Sequence, residues 1–177
     1  MDAVVAAVRG NAARTVVLVD GRSGSGKTTL AALLAPALDA QLVRLDDLYP
    51  GWDGLAAGSR AVAEQVLGRN SWTRWDWERS EPGETQLVDP ERALVVEGSG
   101  ALSAGNRALA TIGVWVECPA DIRKARALTR DGDVYAREWD RWAAQEERFE
   151  ARERPRSMAD ILVSEDPAGR LAVRRTG

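Results

Sequence analysis

The chain contains no histidine, a single cysteine, one phenylalanine and very little lysine among its 177 residues. Each shortage excludes some chemistry. Without histidine, a general base has to be a carboxylate, a lysine, a cysteine, a tyrosine or water. With neither histidine nor clustered cysteine, a zinc site is not expected. Cys118 alone cannot form an intramolecular disulfide, which suits a reducing compartment, and we expect a cytoplasmic protein. No apolar run approaches the roughly 20 residues that span a bilayer. The apolar patch from Ala3 to Val8 follows Asp2 without a basic leader, so a secretory signal is not expected. A net charge of −3 gives no general attraction to nucleic acid or to an anionic membrane, and neither is expected as a partner.

The lysine shortage is informative in a second way. Of the 24 basic residues, Lys27 and Lys124 are the two lysines, leaving 22 arginines. Biased base composition accounts for the arginine preference but not for the position of Lys27. That lysine lies in Gly21-Arg22-Ser23-Gly24-Ser25-Gly26-Lys27-Thr28, which fits G-x-x-x-x-G-K-[ST] at every fixed position and is followed by Thr29. Glycines let the backbone curl until successive N–H groups point at a phosphate, and the following helix adds the positive end of its dipole. Lys27 would reach the β- and γ-phosphates, and the Thr28 hydroxyl would bind Mg²⁺. Thr15–Val19 reads as a buried strand and Thr29–Leu38 as a helix, the context such a loop requires. ATP and Mg²⁺ are therefore the expected cofactors.

Alternation of strands and helices continues along the chain. Val4–Ala13 is predicted as a short helix, Gln41–Leu45 as a strand, and Ser59–Leu67 as a helix. Ser71–Glu78 reads as a strand or hairpin arm, with a turn at Glu81–Glu84. Ala93–Val96 and Ile112–Val116 are apolar runs typical of buried parallel strands. A helix from Pro119 to about Arg130 is predicted to break at Asp131-Gly132-Asp133, before a long charged helix from Tyr135 to Arg152. Asp160–Val163 would be the last strand, leaving a polar, arginine-containing tail. The predicted fold is a three-layer α/β/α arrangement around a parallel sheet. We expect a single domain over 1–177 with a small lid at about 126–140. Ligands should bind at the carboxyl ends of the strands.

Four groups of residues stand at those ends. Asp46 and Asp47 follow the second strand. Either could accept the proton of an acceptor hydroxyl or hold Mg²⁺ through water; the alternative is a helix cap or a solvated turn. Glu97-Gly98 follows Ala93–Val96, where a carboxylate could orient Mg²⁺-bound water. Arg123, Arg126 and Arg130 share a helix face ahead of the break, placed to swing over the phosphates or simply to be solvated. Trp52, Trp72, Trp75 and Trp77 could stack a ring or pack in the core, and Asp76 among them could accept hydrogen bonds from hydroxyls. Tyr135, Trp139, Trp142 and Phe149 follow helical spacing and read as packing.

Between about Thr15 and Glu165 the chain resembles the uridine kinase and phosphoribulokinase-like group of P-loop kinases. The resemblance rests on Gly21–Thr28, Leu45-Asp46-Asp47-Leu48-Tyr49, Val96-Glu97-Gly98, and Asp121-Ile122-Arg123-Lys124-Ala125-Arg126 through Thr129-Arg130-Asp131. It implies a nucleoside-kinase-like fold and transfer of the γ-phosphoryl of ATP to a small-molecule hydroxyl, uridine being the model acceptor. It also implies Asp46 as the base, Arg123, Arg126 and Arg130 as phosphate contacts, and Tyr49 and Asp76 in the acceptor pocket. Trp75-Asp76-Trp77 occupies the segment where nucleoside kinases of this group often carry a histidine. The full set of expected nucleotide contacts is Gly21, Ser23, Gly24, Ser25, Gly26, Lys27, Thr28, Thr29 and Arg123. Asp46, Asp47, Tyr49, Trp75, Asp76 and Glu97 are the expected acceptor contacts, and Thr28, Glu97 and Asp46 the expected metal ligands. Catalysis is assigned to Asp46, Lys27, Arg126 and Arg130. Pantothenate, a sugar or another small alcohol stays open as acceptor, as does a homo-oligomer. The competing class is a non-kinase nucleotide switch or ATPase. It lacks support, because Asn-Lys-x-Asp and Ser-Gly-Gly signatures are absent and Asp166-x-x-Gly169 comes after the proposed last strand.

Overall fold

A computed structural model of the chain describes residues 2–8, 14–165 and 171–176. Four apolar runs form the strands β1 (Val16–Asp20), β5 (Leu94–Glu97), β6 (Ile112–Glu117) and β7 (Ile161–Glu165). With β2 (Gln41–Arg44) and β8 (Leu171–Arg175) they make a six-stranded sheet in the order β2-β5-β1-β6-β7-β8. All neighbours pair in parallel except β7 and β8. The sheet is therefore mixed, with a parallel centre as expected and an antiparallel edge. That edge corrects the expectation that Asp160–Val163 is the last strand. The arginine-rich segment after it pairs back onto β7, leaving most of its side chains in solvent.

Strand alternation divides the core in two. Val17, Val19, Val95, Val114, Ile161 and Val163 face one side, under α1 (Asp2–Val8) and α2 (Lys27–Ala37). Val16, Leu18, Val43, Leu94, Val96 and Leu162 face the other. There they meet α3 (Leu55–Ala61), its π-helical continuation Val62–Leu67, and the aromatic face of α5 (Ala120–Glu153). Helices on both faces explain why the central strands are apolar throughout rather than alternating. Residues 9–13 of the predicted first helix, and the Asp166–Gly169 segment, lie outside the described residues.

The expected break in α5 falls on Gly132 alone. Its backbone takes φ 65°, ψ −155°, so two helical stretches meet at a kink. Among the described residues, a short α4 (Ala104–Arg107) and α6 (Pro155–Met158) complete the α-helices. The hairpin also differs from expectation. Glu81–Glu84 is not a turn but the start of β4 (Glu81–Leu87), paired with β3 (Ser71–Asp76). The reversal occurs at residues 77–80, where Ser80 has φ 54°. In a two-stranded ribbon with a register shift between Thr73 and Trp75, Pro82 and Gly83 need not break pairing.

Candidate active site

The phosphate loop leaves the carboxyl end of β1 and runs straight into α2. Its curl depends on Gly24, which has φ 79° and lies against the first turn of α5. A Cβ there would lie far closer to the Arg123 carbonyl oxygen than van der Waals contact allows. Gly24→Ala should therefore cost about 2–4 kcal/mol of stability and weaken nucleotide binding, measurable by thermal unfolding and calorimetric titration of ADP.

Asp20, the last residue of β1, anchors the loop from beneath. Its carboxylate accepts hydrogen bonds from the backbone N–H groups of Gly21 (2.6 Å), Gly100 (3.1 Å) and Leu102 (2.8 Å). Burial raises its pKa to about 7, although those three N–H groups and the Lys27 charge pull the other way. A carboxyl whose pKa is higher folded than unfolded binds more protons in the folded state between the two values. Its contribution to stability is thus greatest near pH 4 and declines as pH rises to about 7. In Asp20→Asn, the amide would face the Leu102 N–H with another donor. The variant should be less stable at every pH, and the wild-type advantage should shrink as pH rises from about 4 to about 7. Urea unfolding at a series of pH values measures both effects.

Lys27 and Thr28 open α2, with Lys27 9% exposed. The Thr28 hydroxyl donates to Glu97 Oε2 at 3.3 Å. Glu97 ends β5 and is 1% exposed, with its Oε1 lacking a hydrogen-bond partner and Arg44 Nε 4.0 Å away. Burial pushes the pKa of Glu97 up; Lys27 lowers it, and Asp46 raises it further. A buried, half-satisfied carboxylate beside a hydroxyl on the phosphate loop suits a hard cation that takes few protein oxygens and keeps its other positions for phosphate and water. The donor set therefore fits Mg²⁺.

Asp46 and Asp47 occupy a 3₁₀ turn, Leu45–Asp47, at the end of β2. Together with Lys27 and Thr28 they line a cleft of about 650 Å³. Asp47 pairs with Arg74 of β3 at 3.1 Å, and the Asp46 carbonyl accepts from the Trp77 indole at 2.8 Å, so the hairpin is fastened to this turn. Trp52, Trp77, Tyr135 and Trp142 also line the cleft. Trp52 lies 5.1 Å from Trp77, 5.6 Å from Tyr135 and 6.4 Å from Trp142 between ring centroids. Tyr49 lines it too, but its phenol donates to the Ser99 carbonyl at 2.7 Å, and burial raises its pKa well above the ordinary tyrosine value.

Other expected residues lie elsewhere. Trp75 and Asp76 are not among the residues lining the cleft. The Asp76 carboxylate caps the hairpin turn, accepting from the Glu78 and Arg79 N–H groups at 3.0 Å each. The Arg123 guanidinium is buried and donates to the Ser23 carbonyl at 3.0 Å, bracing the loop. A second cleft, of about 350 Å³, opens beside the loop and is lined by Gly24, Ser25, Gly26, Thr29, Leu33, Arg126 and Glu165. Arg126 pairs with Glu165 there at 2.8 Å. Arg130 lines both clefts.

Asp20, Arg44, Arg74 and Glu146 are site residues that the motifs do not mark, and Tyr135 and Trp142 carry a spacing that reads as packing. The spacing of Tyr135 and Trp142 serves core and cleft alike, because both residues are buried and line the cleft. Asp20 stands directly before the glycine loop, which was a usable signal. Glu146, beside Glu147 on a charged helix, offered none.

No family model matches the chain. A cytidylate kinase from Methanococcoides burtonii is 24% identical over 125 residues, 68% of this chain and 65% of that enzyme. The match thus spans just under two thirds of the relative's length. A structure described as a possible uridine kinase from Bacillus stearothermophilus superposes with a TM-score of 0.63 at 19% identity, covering 91% of this chain and 95% of that one. Shikimate kinase from Bacteroides thetaiotaomicron gives a TM-score of 0.51 at 15% identity, with 88% and 91% covered. The fold is that of the P-loop kinases, and the resemblance read from the motifs extends to the architecture.

Proposed function

We propose that the protein is an ATP-dependent phosphotransferase that moves the γ-phosphoryl group of ATP to a hydroxyl of a small molecule, a nucleoside such as uridine being the favoured acceptor. One observation carries this reading. Lys27 and Thr28 of the phosphate loop share a cleft with Asp46, and Arg130 lines both that cleft and the one beside the loop. A group bound on the loop would thus lie between a donor pocket and an aromatic-walled acceptor pocket. The residues 126–140 act as a lid on a single catalytic domain.

The acceptor ring stacks against this aromatic wall, which excludes water and holds its hydroxyl towards the loop. The hydroxyl oxygen attacks the γ-phosphorus, the bond to the bridging oxygen breaks, and ADP leaves. Asp46 accepts the hydroxyl proton and returns it to solvent after product release. Lys27, the loop N–H groups and Arg130 stabilise charge on the transferring group. Thr28 and Glu97 would hold Mg²⁺, which when bound neutralises phosphate charge. Positioning and electrostatics supply the acceleration, since the protein forms no bond itself.

A second reading has its own support. Arg44 and Arg74 also line the acceptor cleft, which favours an acceptor carrying an anion, such as a nucleoside monophosphate. Mass spectrometry of products formed from MgATP with uridine, cytidine, UMP or CMP separates the two. Nucleoside monophosphate from uridine or cytidine supports the favoured reading. Diphosphate from UMP or CMP alone supports the second, and no phosphorylated product from any nucleoside, nucleotide or sugar alcohol removes both.

A further inference from the structure

Glu146 ties the phosphate loop to the acceptor wall through one oxygen. It lies on α5 beyond the Gly132 kink and is 3% exposed. Its Oε1 accepts from the Ser23 backbone N–H at 2.7 Å, the Ser99 hydroxyl at 2.8 Å and the Trp142 indole N–H at 3.2 Å. Its Oε2 faces Arg22 Nε at 3.3 Å. These partners belong to different parts of the site. Ser23 and Arg22 are loop residues. Ser99 follows the Glu97 strand and receives the Tyr49 phenol at its carbonyl. Trp142 lines the acceptor cleft and meets Tyr49 edge-on at 4.7 Å.

A buried carboxylate is costly unless its oxygens are satisfied, and a fully satisfied polar network holds its members in one arrangement. Here the arrangement fixes the direction of the Ser23 N–H, and with it the curl of the loop leading to Lys27. Arg123 braces the same residue from its carbonyl side, while Glu147 and Glu150 share Arg22 at 3.4 and 3.3 Å. None of these neighbours reaches the acceptor wall through the same atom. We infer that Glu146 is a positioning residue that sets the phosphate loop and couples it to Trp142, so that occupancy on one side of the site alters affinity on the other. The inference rests on the reading of Gly21–Thr28 as the nucleotide site.

Glutamine cannot replace it. The pocket presents donors to both oxygens, and an amide offers one acceptor and two N–H donors. Turning the amide oxygen towards Ser23, Ser99 and Trp142 sets its NH₂ against Arg22; the opposite orientation sets it against the Ser23 and Trp142 N–H donors.

The test is calorimetric titration of MgADP into wild type, Glu146→Gln, Trp142→Phe and the double variant, well below the melting temperature of each. Glu146→Gln should weaken binding about tenfold. Trp142→Phe keeps an aromatic ring but loses the indole donor, and should weaken binding by about two- to fivefold although it does not lie on the loop. The double variant should bind no more weakly than Glu146→Gln, because the network joining the indole to the loop is already disturbed at the residue they share. Wild-type affinity in Glu146→Gln, or simple additivity in the double variant, overturns the inference while leaving the nucleotide site intact. Failure of wild type itself to bind MgADP removes the nucleotide reading, and this inference with it. If Glu146→Gln does not fold, Ser99→Ala and Trp142→Phe remove one donor each; non-additive losses from that pair support the coupling, and additive or absent losses overturn it.

Discussion

Asp46→Asn should lower acceptor-dependent turnover by about two or more orders of magnitude while leaving ATP affinity little changed. The side chain lies in the cleft that also holds Lys27 and Thr28, and the chain has no histidine to take over proton transfer. Asparagine preserves the volume and the 3₁₀ turn. The Trp77 indole would still be held, because its partner is the Asp46 backbone carbonyl. The loss should therefore lie in kcat, not in folding. Asp47→Asn provides the contrast. Its carboxylate is engaged with Arg74 of the hairpin, so its loss should loosen the hairpin and raise the acceptor KM by severalfold with a smaller effect on kcat. Steady-state kinetics of both variants, with nucleotide affinity measured separately, checks the assignment. A kcat collapse at Asp47 and not at Asp46 would move the base by one residue.

Lys27→Ala should reduce kcat/KM by about 10²–10³-fold. Lysine at this position supplies a compact charge at the amino end of α2, and the side chain is nearly enclosed. It also helps keep Glu97 ionised, since its charge is the main influence opposing the burial of that carboxylate. Removing it should weaken phosphate binding and raise the Glu97 pKa further, so the variant should recover some activity as pH is increased. Lys27→Arg should not restore function, even in a chain that otherwise uses arginine for positive charge. A planar guanidinium is larger and differently hydrated than an ammonium and would not fit the enclosed position. Initial rates at several pH values for the two variants test each part of this expectation.

How much was legible in the sequence depended on burial. The four apolar strands were readable because helices cover both sides of the sheet, which makes Val16–Val19 or Leu94–Val96 uniformly apolar. β8 was not, because it is a mostly exposed edge strand in which Leu171-Ala172-Val173 runs directly into Arg174 and Arg175. The hairpin turn was misplaced because Pro82 and Gly83 look like turn residues, yet they sit in an exposed ribbon that tolerates them. On the donor side, a fixed spacing specifies the loop, so Lys27 and Thr28 could be placed from sequence. The aromatic wall of the cleft is assembled from Trp52, Trp77 and Trp142, which are distant in sequence and have no shared spacing. Trp142 occupies a position on α5 that a core-facing aromatic would occupy equally well. Beyond the Gly132 kink, α5 carries it, with Tyr135, along the cleft.

In the proposed reaction the two clefts serve one transfer, with Asp46 between the acceptor and the loop. Its most direct test is ADP release from MgATP by wild type and Asp46→Asn, with and without a panel of nucleosides, nucleoside monophosphates and sugar alcohols. Release should depend on a particular acceptor, match phosphorylated product one for one, and fall by at least about two orders of magnitude in Asp46→Asn. Turnover that needs no acceptor and persists in Asp46→Asn would contradict it and identify an ATPase instead.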